Sequence, residues 1–190
     1  MTRFTSDIAF TPAVKAQQSR LGSRKSYARM EQKGGWNDTV DDKLAAFIAE
    51  PILGTSAAGL TPPPDYYPRI REICDRHNIL MIIDEVVTGF RASKGGAQAH
   101  YGVTPDMTTL AKILGGGLPG GAVAGKAEII NMIEFRDDPE YNQSRRIAHN
   151  GTFNANPMTM TAGLATMRLM TPEAFDRLNR MGDYIRDRIG

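Results

Sequence analysis

Ile79-Leu80-Met81-Ile82-Ile83-Asp84 is an unbroken apolar run closed by a carboxylate. A run this short and this rich in β-branched residues reads as a strand buried in a sheet rather than as a helix. Just upstream, Asp65 stands where a helix N-cap belongs, and Ile70, Ile73, Cys74 and His77 follow at helical spacing on one face. Ahead of that helix, Ala45-Ala46-Phe47-Ile48-Ala49 predicts another strand, ending at Glu50-Pro51, with a Gly- and Pro-rich loop from Gly54 to Pro64 between them. Strand, helix and strand in this order make a βαβ crossover. That predicts an α/β fold with parallel strands in a sheet covered on both faces.

The pattern continues downstream. Met107 to Ile113 predicts a shorter strand, Gly121 to Gly125 another, and Ala127 to Phe135 a short helix. Arg136 to Arg146 is polar and charged and reads as a mobile loop. Asn156-Pro157 supplies N-cap and first helical residue for a helix running to Met170. Thr171-Pro172 opens a last helix that points Phe175, Leu178, Tyr184 or Ile185, and Ile189 toward a core. Residues 1–43 differ in character: polar and basic, with a helix from Thr11 toward Glu31 and a break at Gly34-Gly35. The chain therefore divides into a polar helical N-terminal segment, 1–43, and an α/β part, 44–190. It has no internal repeat.

Composition narrows the function classes. With 190 residues, 41% hydrophobic content and a net charge of +2, the chain can bury one core and lacks the strong basic excess of a nucleic-acid binder. Cys74 is the single cysteine, which excludes a disulfide framework and a cysteine zinc cluster and fits a reducing cytoplasm. No apolar stretch approaches a membrane span, and Met1-Thr2-Arg3-Phe4 does not begin a secretory signal. His77, His100 and His149 lack metal-ligand spacing, so no metal site is expected, and Arg145-Arg146 reads as solvated loop charge.

In open parallel sheets ligands sit beyond the C-terminal ends of the strands. Asp84 lies at such an end, and strand alternation puts Asp84 and Val86 on one face and Glu85 on the other. Of seven lysines, Lys112 alone sits in an apolar stretch that runs into a triple glycine, Gly115-Gly116-Gly117. A partly buried amine there is a good Schiff-base former, and the glycines let the backbone turn beside a bulky ligand. A carboxylate and an amine at the ends of two strands can hold a pyridinium ring between them, which is the chemistry of pyridoxal 5'-phosphate (PLP). Taken singly, each residue has a plainer reading: an acidic strand end, a surface lysine, a turn threonine at Thr152.

The joint wording is more specific. Ala49-Glu50-Pro51, Asp84-Glu85-Val86-Val87-Thr88-Gly89-Phe90-Arg91, and Pro105-Asp106-Met107-Thr108-Thr109-Leu110-Ala111-Lys112 follow one another in order. Gly115-Gly116-Gly117-Leu118-Pro119-Gly120-Gly121-Ala122 and Gly151-Thr152-Phe153-Asn154-Ala155-Asn156-Pro157 complete the series. From about 45 to 170 the chain resembles the class III, or subgroup II, PLP-dependent aminotransferases, and most of all the glutamate-1-semialdehyde 2,1-aminomutase branch.

That resemblance implies part of a fold-type I large domain, a mostly parallel sheet flanked by helices and incomplete. It implies Lys112 as the Schiff-base lysine, Asp84 at the pyridine nitrogen, Val86 against the ring, and Thr152 on the cofactor phosphate across a homodimer interface. Glu50 becomes a supporting strand-end acid. The implied activity is transamination or aminomutation of a small amino or oxo acid. The resemblance also implies a longer whole, with a phosphate-gripping loop, a ring-covering aromatic and a small domain outside this stretch. The alternative is therefore a catalytically incompetent fragment or fusion product with weak or no PLP binding. Ile8-Ala9-Phe10-Thr11-Pro12-Ala13-Val14-Lys15, Leu21-Gly22-Ser23-Arg24 and Tyr27-Ala28-Arg29-Met30-Glu31 resemble the N-terminus of pyridoxamine-phosphate-oxidase-like flavoproteins, placing a junction near Glu50-Pro51.

Overall fold

The computed structural model describes residues 44–54 and 59–189. The segment 1–43, with its expected helix and separate origin, lies outside them. Among the described residues a four-stranded sheet runs in the order β1 (Ala46–Ala49), β2 (Leu80–Asp84), β3 (Met107–Ala111), β4 (Gly121–Gly125). Helix α1 (Tyr66–Arg76) connects β1 to β2, which are parallel neighbours with Phe47 opposite Met81. This is the crossover that the apolar run demanded. β2 and β3 are also parallel, whereas β4 turns back antiparallel against β3. The short helix α2 (Gly96–His100) lies on the β2–β3 connection.

The pleat sorts the side chains. Met81 and Ile83 are fully buried on one face of β2, packing with Phe47, Tyr66, Tyr67, Ile70, Cys74 and Val103 into the main core. Leu80, Ile82 and Asp84, on the other face, are half-buried. The expected cover on both faces is thus complete on one face and partial on the other among the described residues. Among the described residues β4 is exposed at every position and forms one edge.

A buried acid ties the strands together at the end opposite Asp84. Asp106 accepts from the Met81 backbone N–H at 2.7 Å and pairs with Arg71 of α1 at 2.8 Å and with Lys126, just past β4, at 2.7 Å. Burial works to raise the Asp106 carboxyl, but the bonds from Lys126, Met81 and Arg71 outweigh it and hold it below its ordinary value.

Several local expectations change. Asp65 occupies the N-cap position of α1 but makes no capping bond; its carboxylate pairs with Arg69 at 2.7 Å instead. His77 is exposed and ends the helix rather than lying on its apolar face, because Asn78 follows with φ +53. The stretch 127–135 splits into α3 (Ala127–Ile130) and a 3-10 turn over Asn131–Ile133. The charged segment expected as a loop contains α4 (Pro139–Ser144), capped by Asp138, whose Oδ1 accepts from Tyr141 N at 3.1 Å. Helix α5 (Pro157–Leu169) begins where Asn156-Pro157 placed it. In the last helix, α6 (Pro172–Ile189), no residue is buried, so Leu178, Tyr184, Ile185 and Ile189 face no core among the described residues.

Candidate active site

β2 ends on Asp84, whose strand partner on β3 is Thr109. Neighbours on one face of a sheet can bond across strands, and Thr109 Oγ1 donates to Asp84 Oδ1 at 3.0 Å. The Val86 N–H donates to the same oxygen at 3.0 Å, an aspartate turn that closes over the strand end. The strand stops at Asp84, so this turn, not continued alternation, sets where Val86 lies. Asp84 and Val86 are both half-buried.

Lys112 follows β3 directly. Thr109 is opposite Asp84, and the lysine comes three residues later in the chain, so amine and carboxylate belong to the same end of adjacent parallel strands. Two details differ from expectation. β3 ends at Ala111 instead of reaching Ile113, and Lys112 opens a 3-10 turn, Lys112–Gly115. Lys112 is also exposed rather than partly buried, because the strand gives way to this turn before the side chain is enclosed.

Its φ of +50° is a left-handed conformation that a Cβ disfavours by about 1 kcal/mol. The surrounding turn holds it there. Gly116 and Gly117 continue with φ +62° and +90°, and α5 presses on the turn. A Cβ on Gly116 would lie 2.4 Å from the Ala162 carbonyl, and one on Gly163 would lie 2.3 Å from the Leu114 oxygen. Thr159 Oγ1 adds a bond to the Pro119 oxygen at 2.8 Å. Strained backbone over-determined by its surroundings is characteristic of functional sites.

Thr152 is exposed, in a turn ahead of α5. No described hydrogen bond joins it to Asp84 or Lys112. The sequence placed it beside free helix N–H groups, yet Asn156 Oδ1 already accepts from Met158 N at 3.0 Å and Thr159 N at 3.2 Å. Sequence and structure thus bring Asp84, Val86 and Lys112 to one end of the sheet, while Thr152 stands in the turn ahead of α5. Glu50 acts as a supporting acid: its Oε2 accepts from Gly54 N at 3.2 Å and its carbonyl from Tyr67 Oη at 2.7 Å.

Sequence reasoning set Glu85 on the face opposite Asp84 and gave it no role. It is fully buried, with Ala97 N and Gln98 N donating to its carboxylate at 3.0 and 2.7 Å and Thr88 Oγ1 adding a third bond. Parity set its side of the sheet, but the donors that enclose it come from Ala97 and Gln98, far along the chain.

Comparison with known proteins gives the family. A glutamate-1-semialdehyde 2,1-aminomutase of Sulfolobus acidocaldarius is 48% identical over 132 residues, which cover 70% of this chain and 29% of that protein. An omega-transaminase from Sphaerobacter thermophilus superposes with a TM-score of 0.67 at 43% identity, over 76% of this chain and 31% of that one. A transaminase with PLP bound superposes with a TM-score of 0.67 at 31% identity, over 77% of this chain and 33% of that one. The chain spans about a third of the length of such relatives. The family model for class-III aminotransferases matches residues 2–189, a range that takes in the N-terminal segment as well as the sheet and the lysine turn, and the chain belongs to that family.

Proposed function

We propose that this chain carries the cofactor-facing part of a PLP-dependent aminotransferase or aminomutase that acts on a small amino or oxo acid. One observation carries the reading: Asp84 and Thr109 are register partners, and the strained Lys112 turn follows on the same strand end. When bound through a lysine amine, PLP supplies a protonated ring that withdraws electrons from the substrate α-carbon.

The residues present fit such a ring. Both described bonds to Asp84 fall on Oδ1, so neither uses Oδ2, and a half-buried carboxylate is suited to hold a proton on a ring nitrogen. Val86, tethered to Asp84 through its N–H, supplies an apolar surface beside it. Lys112 offers the primary amine and, once free, takes the α-proton of the substrate. Thr152, exposed in its turn, suits a phosphate held by a second copy in a homodimer. A buried, reduced Cys74 fits a cytoplasmic setting.

A second reading is favoured by the exposure of Lys112 and Thr152: the chain alone takes PLP weakly and turns nothing over. Borohydride reduction after incubation with PLP tests the site, with mass mapping of the adduct. We expect it on Lys112 and absent from Lys112→Ala; equal labelling of that variant would refute the assignment. Turnover with pyruvate or 2-oxoglutarate as acceptor separates the two readings, and robust transamination by the purified chain would exclude the second.

A further inference from the structure

Glu85 is clamped at each of its polar groups. Its N–H donates to the Thr109 oxygen at 3.0 Å, and its carbonyl accepts from Gly89 N at 2.8 Å. Its carboxylate takes Thr88 Oγ1, Ala97 N and Gln98 N, which closes the 86–96 loop back onto the strand end. Gly96, at φ +72°, lets the chain pass so close that an added Cβ would stand 2.4 Å from Glu85 Oε1. Among the described residues Glu85 has no ion-pair partner, so neutral donors alone offset its burial.

Glu85 is also the residue between the acceptor and the donor of the Asp84 turn. Its two backbone torsions set how the Val86 N–H meets Asp84 Oδ1. Resting on the PLP reading of the site, we infer that Glu85 is the positioning residue for the ring-nitrogen acid. By fixing residue 85 from both sides, its buried carboxylate orients the Asp84 carboxylate. It touches no reacting atom and acts through Asp84.

Two measurements test this on the whole chain. Amide exchange needs no cofactor. Glu85→Gln puts a donor against the Ala97 or Gln98 N–H, and Gly96→Ala forces the carboxylate aside. Each should speed exchange at the Val86 amide about tenfold, while the Met81 amide, bonded to Asp106 at the far end of β2, keeps its rate. Unchanged Val86 protection, or equal loss at both amides, overturns the proposal, the second because it means general destabilisation. Should Glu85→Gln fail to fold, Thr88→Val removes one donor to the same carboxylate and carries the same comparison.

The other measurement is absorbance titration with PLP. Glu85→Gln should weaken uptake in the wild-type background and change it little in Asp84→Asn, since a residue acting through Asp84 has nothing left to orient. Additive losses overturn the proposal. A wild-type chain that takes no PLP would count against the function proposed above, and Val86 exchange would still decide the role of Glu85.

Discussion

Asp106 shows how one side chain can set the acid limit of the molecule. Its carboxyl is held below the ordinary value of 3.8, so its contribution to stability is fully present above that pH. The contribution declines below it and is gone once the pH falls through the folded value. We expect the chain to lose stability below about pH 4, with a flatter acid limb in Asp106→Asn. That substitution also removes the anion shared by Arg71, which keeps Asp75 at 2.7 Å, and Lys126, at a cost of about 1–3 kcal/mol at neutral pH. Urea unfolding at several pH values checks both, and an unchanged acid limb would show that Asp106 is not the group responsible. Cys74 makes a complementary case. Burial pushes its thiol up to about 11, so it should resist thiol reagents at neutral pH until the chain unfolds.

At the scale of elements, the α5 contact with the lysine turn is the joint on which the site depends. Gly163→Ala would drive a methyl into the Leu114 carbonyl, a backbone atom with no rotamer to yield, and should cost about 1–3 kcal/mol. Gly182, inside α6, has nothing within 4 Å of an added Cβ. Gly182→Ala should therefore stabilise by about 0.5–1 kcal/mol through helix propensity alone. Thermal melts of the two variants should move in opposite directions; a destabilised Gly182→Ala would mean that α6 packs more closely than its exposure implies.

The same elements show what a sequence makes legible. β1, α1 and β2 lie within a residue or two of their expected bounds, since apolar runs and helical spacing are local signals. The left-handed Lys112 was not legible, because nothing in a lysine announces positive φ; α5 and the glycines impose it from a distance. Helix α4 was legible and overlooked, for Asp138-Pro139 is the same cap-and-proline signal as Asn156-Pro157. The site was half legible. Asp84 and Lys112 follow from strand ends, whereas Glu85 is defined by donors twelve and thirteen residues away.

For the whole molecule, α6 decides how the chain behaves in solution. Its apolar positions recur at helical spacing, yet Leu178 is 49% exposed, Ile185 50% and Ile189 83%. Among the described residues Met158 and Met160 on α5 are similarly open, and β4 adds an exposed edge strand of Gly, Ala and Val. Patches of this kind mark contact surfaces, and an unpaired strand edge invites pairing. Covering them costs the entropy of association and of ordering the side chains involved, but removes apolar area from water, so self-association should win at ordinary protein concentrations. We expect the purified chain to run as a dimer or larger, and its melting temperature to rise with protein concentration because association draws on the folded state. PLP should raise that temperature further if it binds, by an amount that grows with its excess over Kd. Size-exclusion chromatography with light scattering, over a wide concentration range, decides the matter. A monodisperse monomer with a concentration-independent, cooperative melt would mean that these faces are closed within one chain, and the case for a shared Thr152 site would lose its physical basis.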